Sequence, residues 1–200
     1  MTGDQAVHAW LSREGAHRDF VAWAEPFGPE VVRLWESCPR GDWLLALAAR
    51  LRAPSRLLVM AACDCALGAL EALGGQQERV FESMSTIRRW AAGTLPPLST
   101  EQIEGMRAQL EAARDGAQDA AEAEAALAAL AALETIGDPA MATSAAAFAA
   151  HASLMSAADC AMEQALRFAQ HQSAQAVRAV LPAVMIAGLW GARESKTPAG

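Results

Sequence analysis

Apolar residues recur along this chain at spacings of three and four, in blocks set apart by Pro, Gly and short polar runs. That spacing marks one face of an α-helix, and no alternating run of Val, Ile, Thr or aromatic residues reads as a strand. The densest block is Cys38 to Leu70. It opens Cys38-Pro39-Arg40-Gly41-Asp42-Trp43-Leu44-Leu45, continues as an apolar helix to Leu51, breaks at Arg52-Ala53-Pro54 and resumes at Ser55. Two helix starts, one break and two apolar faces predict a helical hairpin, the nucleus of an all-helical domain. The second helix runs to Leu73, with Leu58, Ala62, Cys65 and Ala69 along one side, and Gly74-Gly75 closes it.

Around the hairpin the pattern predicts a short helix from Asp4 to about Ser12 with Trp10 and Leu11 facing inward. Asp19 then caps Phe20-Val21-Ala22-Trp23, and Pro26 and Pro29 break the chain before Val31 to Trp35. A more polar helix spans Glu78 to Ala92, and the pair Pro96-Pro97 is the clearest joint in the sequence. Ser99 or Thr100 starts the longest expected helix, Glu101 to about Ile136, which Gly137-Asp138-Pro139 ends. Another covers Ala140 to about Gln170, with Asp159, Glu163 and Arg167 at four-residue spacing. Ser173 to Trp190 is the last, with Pro182 as a kink or break. The expected fold is all-α, an irregular multi-helix bundle of about seven to nine helices. Residues 1–193 form a single domain, its two halves (1–95 and 98–193) meeting at Pro96-Pro97, and residues 194–200 form a disordered tail.

Composition agrees with the periodicity. Ala dominates and loses no side-chain entropy in a helix, Tyr is absent, and 200 residues suffice to bury roughly 70% of the unfolded surface. Lys196 stands alone beside fifteen arginines, which reads first as a coding bias. Cys38, Cys63, Cys65 and Cys160 lack paired spacing, and Met-Thr-Gly-Asp at the start lacks the basic and apolar regions of a signal peptide. Together they predict a reduced, cytoplasmic protein. The apolar run Ala179 to Leu189 is too short to span a bilayer and carries Pro182, so no membrane association is expected.

Charge changes the picture more. The net −7 is spread unevenly: residues 1–100 hold eleven acids and ten arginines, residues 101–135 eight acids and two arginines, and residues 136–200 four of each sign. On a wheel centred on Glu104, with about 100° per residue, Glu111, Asp115 and Glu122 fall within about 20°, and Glu101 and Asp119 at about 60°. Ile103, Met106, Leu110, Ala113 and Ala117 lie opposite. Arg107 and Arg114 flank the stripe, where they would pair with Glu104 and Glu111. Like charges three or four residues apart repel, so a single-sign stripe asks for a reason, and a basic protein partner supplies one.

Other candidate sites reduce to architecture. Cys63-Asp64-Cys65 offers two thiolates and a carboxylate, but helical residues two apart point about 200° apart and cannot share an ion. A buried Asp64 needs a partner, and Arg56 or Arg79 is expected to supply it. Glu14-Gly15-Ala16-His17 matches the Glu-x-x-His of di-iron bundles, which need it twice. Arg40-Gly41-Asp42 spells a cell-adhesion tripeptide, yet Asp42 stands where a carboxylate caps a helix start. Trp10, Trp23, Trp35 and Trp43 are core anchors, since stacking on nucleic acid requires a basic groove. No Ser–His–acid or Cys–His spacing and no Gly-rich phosphate loop is present, so no enzyme, metal or cofactor is expected.

A run of specific residues carries a family resemblance. They are Trp35, Cys38-Pro39-Arg40-Gly41-Asp42-Trp43-Leu44-Leu45, Ala48, Arg50-Leu51, Arg56, Leu58-Val59 and Ala61-Ala62-Cys63-Asp64-Cys65-Ala66. Then follow Arg79, Thr86, Trp90, Ala91 and Gly93, with Ala-rich helices from Ala108 to Ala179. In this order they resemble a bacterial family of immunity proteins of polymorphic toxin systems. The chain departs from that family at Leu67 (Arg there), Val80 (Pro) and Ser85 (Glu). The resemblance implies a small helical protein that binds and blocks a cognate toxin, with Arg40, Asp42, Trp43, Cys63, Asp64, Cys65, Arg79 and Trp90 as its structural motif. The charge layout assigns partner binding to Glu101, Glu104, Glu111, Asp115, Asp119 and Glu122, facing a basic toxin domain. The alternative is an adaptor or scaffold working through self-association or partner docking of the Ala-rich C-terminal helices.

Overall fold

The computed structural model of the chain describes residues 6–73, 78–157 and 161–194. Among them run eleven α-helices and one 3-10 turn, with no strand. They are α1 (Val7–Arg13), α2 (Arg18–Ala24), the 3-10 turn Glu25–Phe27, α3 (Val31–Ser37), α4 (Gly41–Arg50), α5 (Ser55–Ala72) and α6 (Glu78–Ala91). The second half holds α7 (Thr100–Asp115), α8 (Ala120–Glu134), α9 (Met141–Met155), α10 (Met162–Val180) and α11 (Ala183–Glu194). The all-α class stands, and the count exceeds the seven to nine expected because Glu101–Ile136 holds two helices and Ala140–Trp190, expected as two, holds three, with α10 running unbroken through the expected boundary at Gln170–Ser173.

The first of these corrections is the stretch Glu101 to Ile136. Gly116 ends α7, its N–H donating to the Ala112 carbonyl, and Asp119 begins α8 by accepting from the Glu122 N–H at 2.9 Å. Glycine after a helix and Asp-x-x-Glu before the next are ordinary stop and start signals, and a periodicity that runs through them hides the break. The second is Ala140 to Gln170, where α9 ends at Met155 and α10 starts at Met162. Of the expected ladder, Glu163 and Arg167 do pair, and Asp159 lies outside the described residues. Pro182 is a full break, with α10 and α11 bent by 73°. Glu194, expected in the tail, is the last residue of α11, and the expected helix start at Asp4, the closing pair Gly74-Gly75 and residues 195–200 lie outside the described residues. His17, through Nδ1, receives the Asp19 N–H at the start of α2, so Asp19 is a first-turn acid instead of the cap.

One continuous apolar core runs from Val7 to Trp190. Its widest contact is α8 on α9, and Ala125, Ala128, Ala129 and Ala132 of the one and Ala142, Ala145, Ala146 and Ala149 of the other are all buried. Small side chains let the two axes approach closely, which is why an Ala-rich segment of weak hydrophobicity still packs. The α4–α5 hairpin is the hub: α9 packs on both of its helices, α10 on both, and α6 and α8 on α5. Trp35 is fully buried and Trp10 nearly so, while Trp23 and Trp43 are half-buried in a cluster with Phe20 and Phe27.

Backbone carbonyls at helix ends are met by arginines from elsewhere in the chain. Arg178 on α10 donates to Cys38 O at 2.8 Å and Trp35 O at 3.4 Å, closing the C-terminus of α3. Arg50 donates to Glu14 O and Gly15 O, each at 3.2 Å, closing α1. A guanidinium at a helix C-terminus satisfies orphan carbonyls and opposes the negative end of the dipole.

Gly41 is where the two halves press together. A Cβ at that position would lie 2.6 Å from Ser173 Cβ and 2.8 Å from the Ser173 carbonyl carbon, inside contact distance of α10 backbone. Gly41→Ala is therefore expected to cost about 1–3 kcal/mol, the range of overpacked cores. Gly105→Ala, in the interior of α7 with nothing within 4 Å of a new Cβ, should gain about 0.5–1 kcal/mol. Urea denaturation of the two variants checks both signs.

Candidate functional site

The hairpin motif resolves into packing. Arg40 and Asp42 form a two-pronged pair, Nε to Oδ1 at 3.1 Å and Nη2 to Oδ2 at 2.6 Å, with the guanidinium 4.4 Å from the Trp43 ring centroid. Asp42 thus accepts from Arg40 and makes no capping hydrogen bond, correcting the expected cap; it stays in the first turn of α4, where a negative charge suits the dipole. α5 runs unbroken through Cys63-Asp64-Cys65 with both thiols buried. Cys65 Sγ lies 3.8 Å from Ser173 O, beside the Gly41 contact. Burial pushes the Cys38 and Cys65 thiols up to about 12, and Cys63 higher still, so all three stay protonated and inert at neutral pH. Cys160 lies outside the described residues.

Asp64 pairs with Arg88, against the expected Arg56 or Arg79. Arg88 Nε donates to Oδ1 and Nη2 reaches Oδ2 at 3.4 Å, tying α5 to α6. That hydrogen bond, together with the carboxylate's charge, raises the Arg88 pKa further above its ordinary value. Arg56 instead lies over the Trp90 ring at 5.1 Å. Arg79 is exposed beside a recess of about 450 Å³ that Gly116 and Glu122 also line and that neither Arg40 nor Asp64 lines. Arg56 lies on α5 itself, about 12 Å of helix rise before Asp64 and out of reach, and the α5–α6 crossing decides that Arg88 of α6, not Arg79, meets the carboxylate. No periodicity in the sequence encodes that choice.

The acidic stripe survives in part. Glu101, Glu104, Glu111 and Asp115 lie on α7, exposed, and share an arc of about 80° over a length of about 21 Å. The break at Gly116 removes the other two members from that face, a correction to the six-residue surface. Asp119 is the N-cap of α8, and Glu122 Oε2 accepts from Gln118 N at 2.8 Å, so both carboxylates satisfy backbone N–H groups. The flanking arginines also turn elsewhere. Arg107 pairs with Glu134 on α8 at 2.8 Å, and Arg114 with its neighbour Asp115 at 2.7 Å. Among the described residues Glu101, Glu104 and Glu111 make no side-chain hydrogen bond or ion pair. α7 is anchored beneath by buried Met106 and Leu110, by the Ser99–Gln102 capping box, and by Ser83 Oγ to Gln109 Oε1 at 3.2 Å.

Among the described residues no three His, Cys, Asp or Glu side chains gather as metal ligands, and no single helix is long and apolar enough to cross a membrane. A groove of about 640 Å³ between α5, α9 and α10 is floored by Gly68, Ala69, Ala149 and Ala169, with Phe168 two-thirds exposed at its rim. No family model, no curated protein and no solved structure matches the chain.

Carboxylates with different duties should respond differently to truncation. Asp119→Ala is expected to lose about 1 kcal/mol of stability, the worth of an N-cap, whereas Glu111→Ala should stay within about 0.5 kcal/mol of the parent. Chemical denaturation of each single variant reads the difference.

Proposed function

We propose that this is a non-catalytic binding protein of the immunity type, which blocks a basic partner protein by covering it with the outer face of α7. The observation that carries the reading is the row of uncompensated carboxylates: Glu101, Glu104 and Glu111 point to solvent on one rigid helix while both nearby arginines are engaged with other acids. Such a row is mildly self-repelling in the free protein, and a basic surface removes that repulsion on docking. The field it projects also speeds encounter with a positively charged partner, to as much as about 10⁸–10⁹ M⁻¹s⁻¹ at low salt. The toxin-inhibitor class comes from the resemblance of residues 35–93 to immunity proteins, and in this reading those residues build the hub that holds α7 in place. The partner is a basic toxin domain, such as one whose own groove takes a nucleic acid, and occlusion of that groove needs no catalytic group.

Replacing Glu101, Glu104 and Glu111 together by Lys should leave the circular dichroism spectrum unchanged and slow association with a basic nuclease toxin domain by at least about tenfold. Steep salt dependence should vanish with it. Unchanged affinity at low salt would refute the acidic face as the docking surface.

A second reading, a helical adaptor, is favoured by one observation: Phe168 and Met155 are 66% and 45% exposed near the α5/α9/α10 groove. Light scattering of the purified chain separates the two, a stable oligomer that Phe168→Ser dissociates favouring the adaptor and a monomer favouring the inhibitor.

A further inference from the structure

The turn that ends α4 is built for glycine and carries arginine. The Arg52 N–H donates to Ala49 O and the Ala53 N–H to Ala48 O, both at 3.0 Å, the closure in which the residue after the helix takes left-handed backbone. Arg52 does so with φ +58°, the only non-glycine residue with positive φ among those described. Glycine would make the same turn without the clash between Cβ and carbonyl, so the side chain is retained against a local backbone cost. Among the described residues the Arg52 side chain makes no hydrogen bond or ion pair, and it is exposed.

What it does have beside it is a cavity. Between the end of α1, the end of α4 and α11 lies a hollow of about 520 Å³, within the ~300–1,000 Å³ span of small-molecule sites. Among the described residues, Arg50, Arg52 and Arg193 line it against a single acid, Glu14. In a chain of net charge −7 this is a local reversal of sign. Arg50 donates to the carbonyls of Glu14, Gly15 and Ala46, which fixes the guanidinium rigidly while leaving its positive charge unmatched by a carboxylate. Arg193 Cζ lies over the Trp190 ring at 4.0 Å and the Trp10 ring at 5.1 Å from the centroids. The remaining wall is apolar, made by Trp10, Leu51 and Leu189.

We propose that this cavity binds a small organic anion, an oxyanion head on an apolar body. Arg52 serves the head, a carboxylate or phosphate that its planar guanidinium grips through paired N–H groups, and Arg50, whose three nitrogens already donate to carbonyls, adds fixed positive charge beside it. Leu51, Leu189 and Trp10 cover the body. Arg52 is the residue that makes the site selective for an anion, and its backbone conformation places it there. The site is separate from the acidic face of α7 and stands or falls without it.

The test uses the full chain with phenyl phosphate and benzoate as probes, at matched ionic strength, reading calorimetric Kd and the ligand-induced rise in Tm. Both probes should bind and raise Tm, and phenol and inorganic phosphate should do so far less. Arg52→Gly should melt higher than the parent without ligand, because the turn is relieved, and bind about tenfold more weakly. Glu14→Gln should bind more tightly, since it removes the one competing acid. Opposite changes in stability and affinity at position 52 are a pattern that loss of folding cannot produce. The proposal is overturned if neither probe binds, if phenol or inorganic phosphate matches them, or if Arg52→Gly binds as the parent does.

Discussion

The contact on which most of this structure depends is the meeting of Gly41 with Ser173, where the first turn of α4 lies against the backbone of α10 with no room for a side chain. Everything near it is arranged to permit that approach. Arg40 and Asp42, on either side of the glycine, neutralise one another and stack on Trp43, so that a charged pair can stand at the edge of the core. Cys65, buried and protonated, lies close to the same Ser173 carbonyl. Arg178, less than two turns further along α10, reaches the carbonyls at the end of α3. A steric constraint of this kind acts in one direction only: it is invisible while satisfied and costly once violated.

Seen from that joint, the polar residues of the chain divide by duty more than by type. Arg50 and Arg178 spend their donors on helix ends, Arg88 on Asp64, Arg107 on Glu134. Asp119 and Glu122 act on backbone N–H groups, and the Glu101, Glu104 and Glu111 side chains bond to nothing among the described residues. A surface charge with no internal work is where recognition by another molecule can be placed at little cost in stability, and the fold concentrates such charges on α7. The basic hollow around Arg50 and Arg52 is the mirror case, positive charge gathered where the chain as a whole is negative.

The residues legible in advance were those whose behaviour is local. Trp10 and Leu11 face inward, Ser99 starts α7, Pro182 ends α10 and the two thiols of Cys63-Asp64-Cys65 are buried, all as helix periodicity and cap chemistry require. The misread stretches were local too in one sense. Gly116 and Asp119-x-x-Glu122 spell a stop and a start, but a hydrophobic repeat that keeps phase across four residues outweighs them when read as a pattern. The six-carboxylate surface failed for that reason and left four on one face.

By itself, then, the sequence determined that the chain is helical, which faces of its helices are apolar, and where its charge lies, because these follow from nearest-neighbour propensities and a period of 3.6. Only the tertiary structure decided which arginine meets Asp64, that Gly41 must be glycine, that Arg107 and Arg114 turn away from Glu104 and Glu111, and that Arg52 borders a cavity. Those outcomes depend on crossing angles and on contacts between residues such as Gly41 and Ser173 or Trp10 and Trp190, far apart along the chain. Their geometry is set by how side-chain volumes fill one shared core, and no local pattern carries that information.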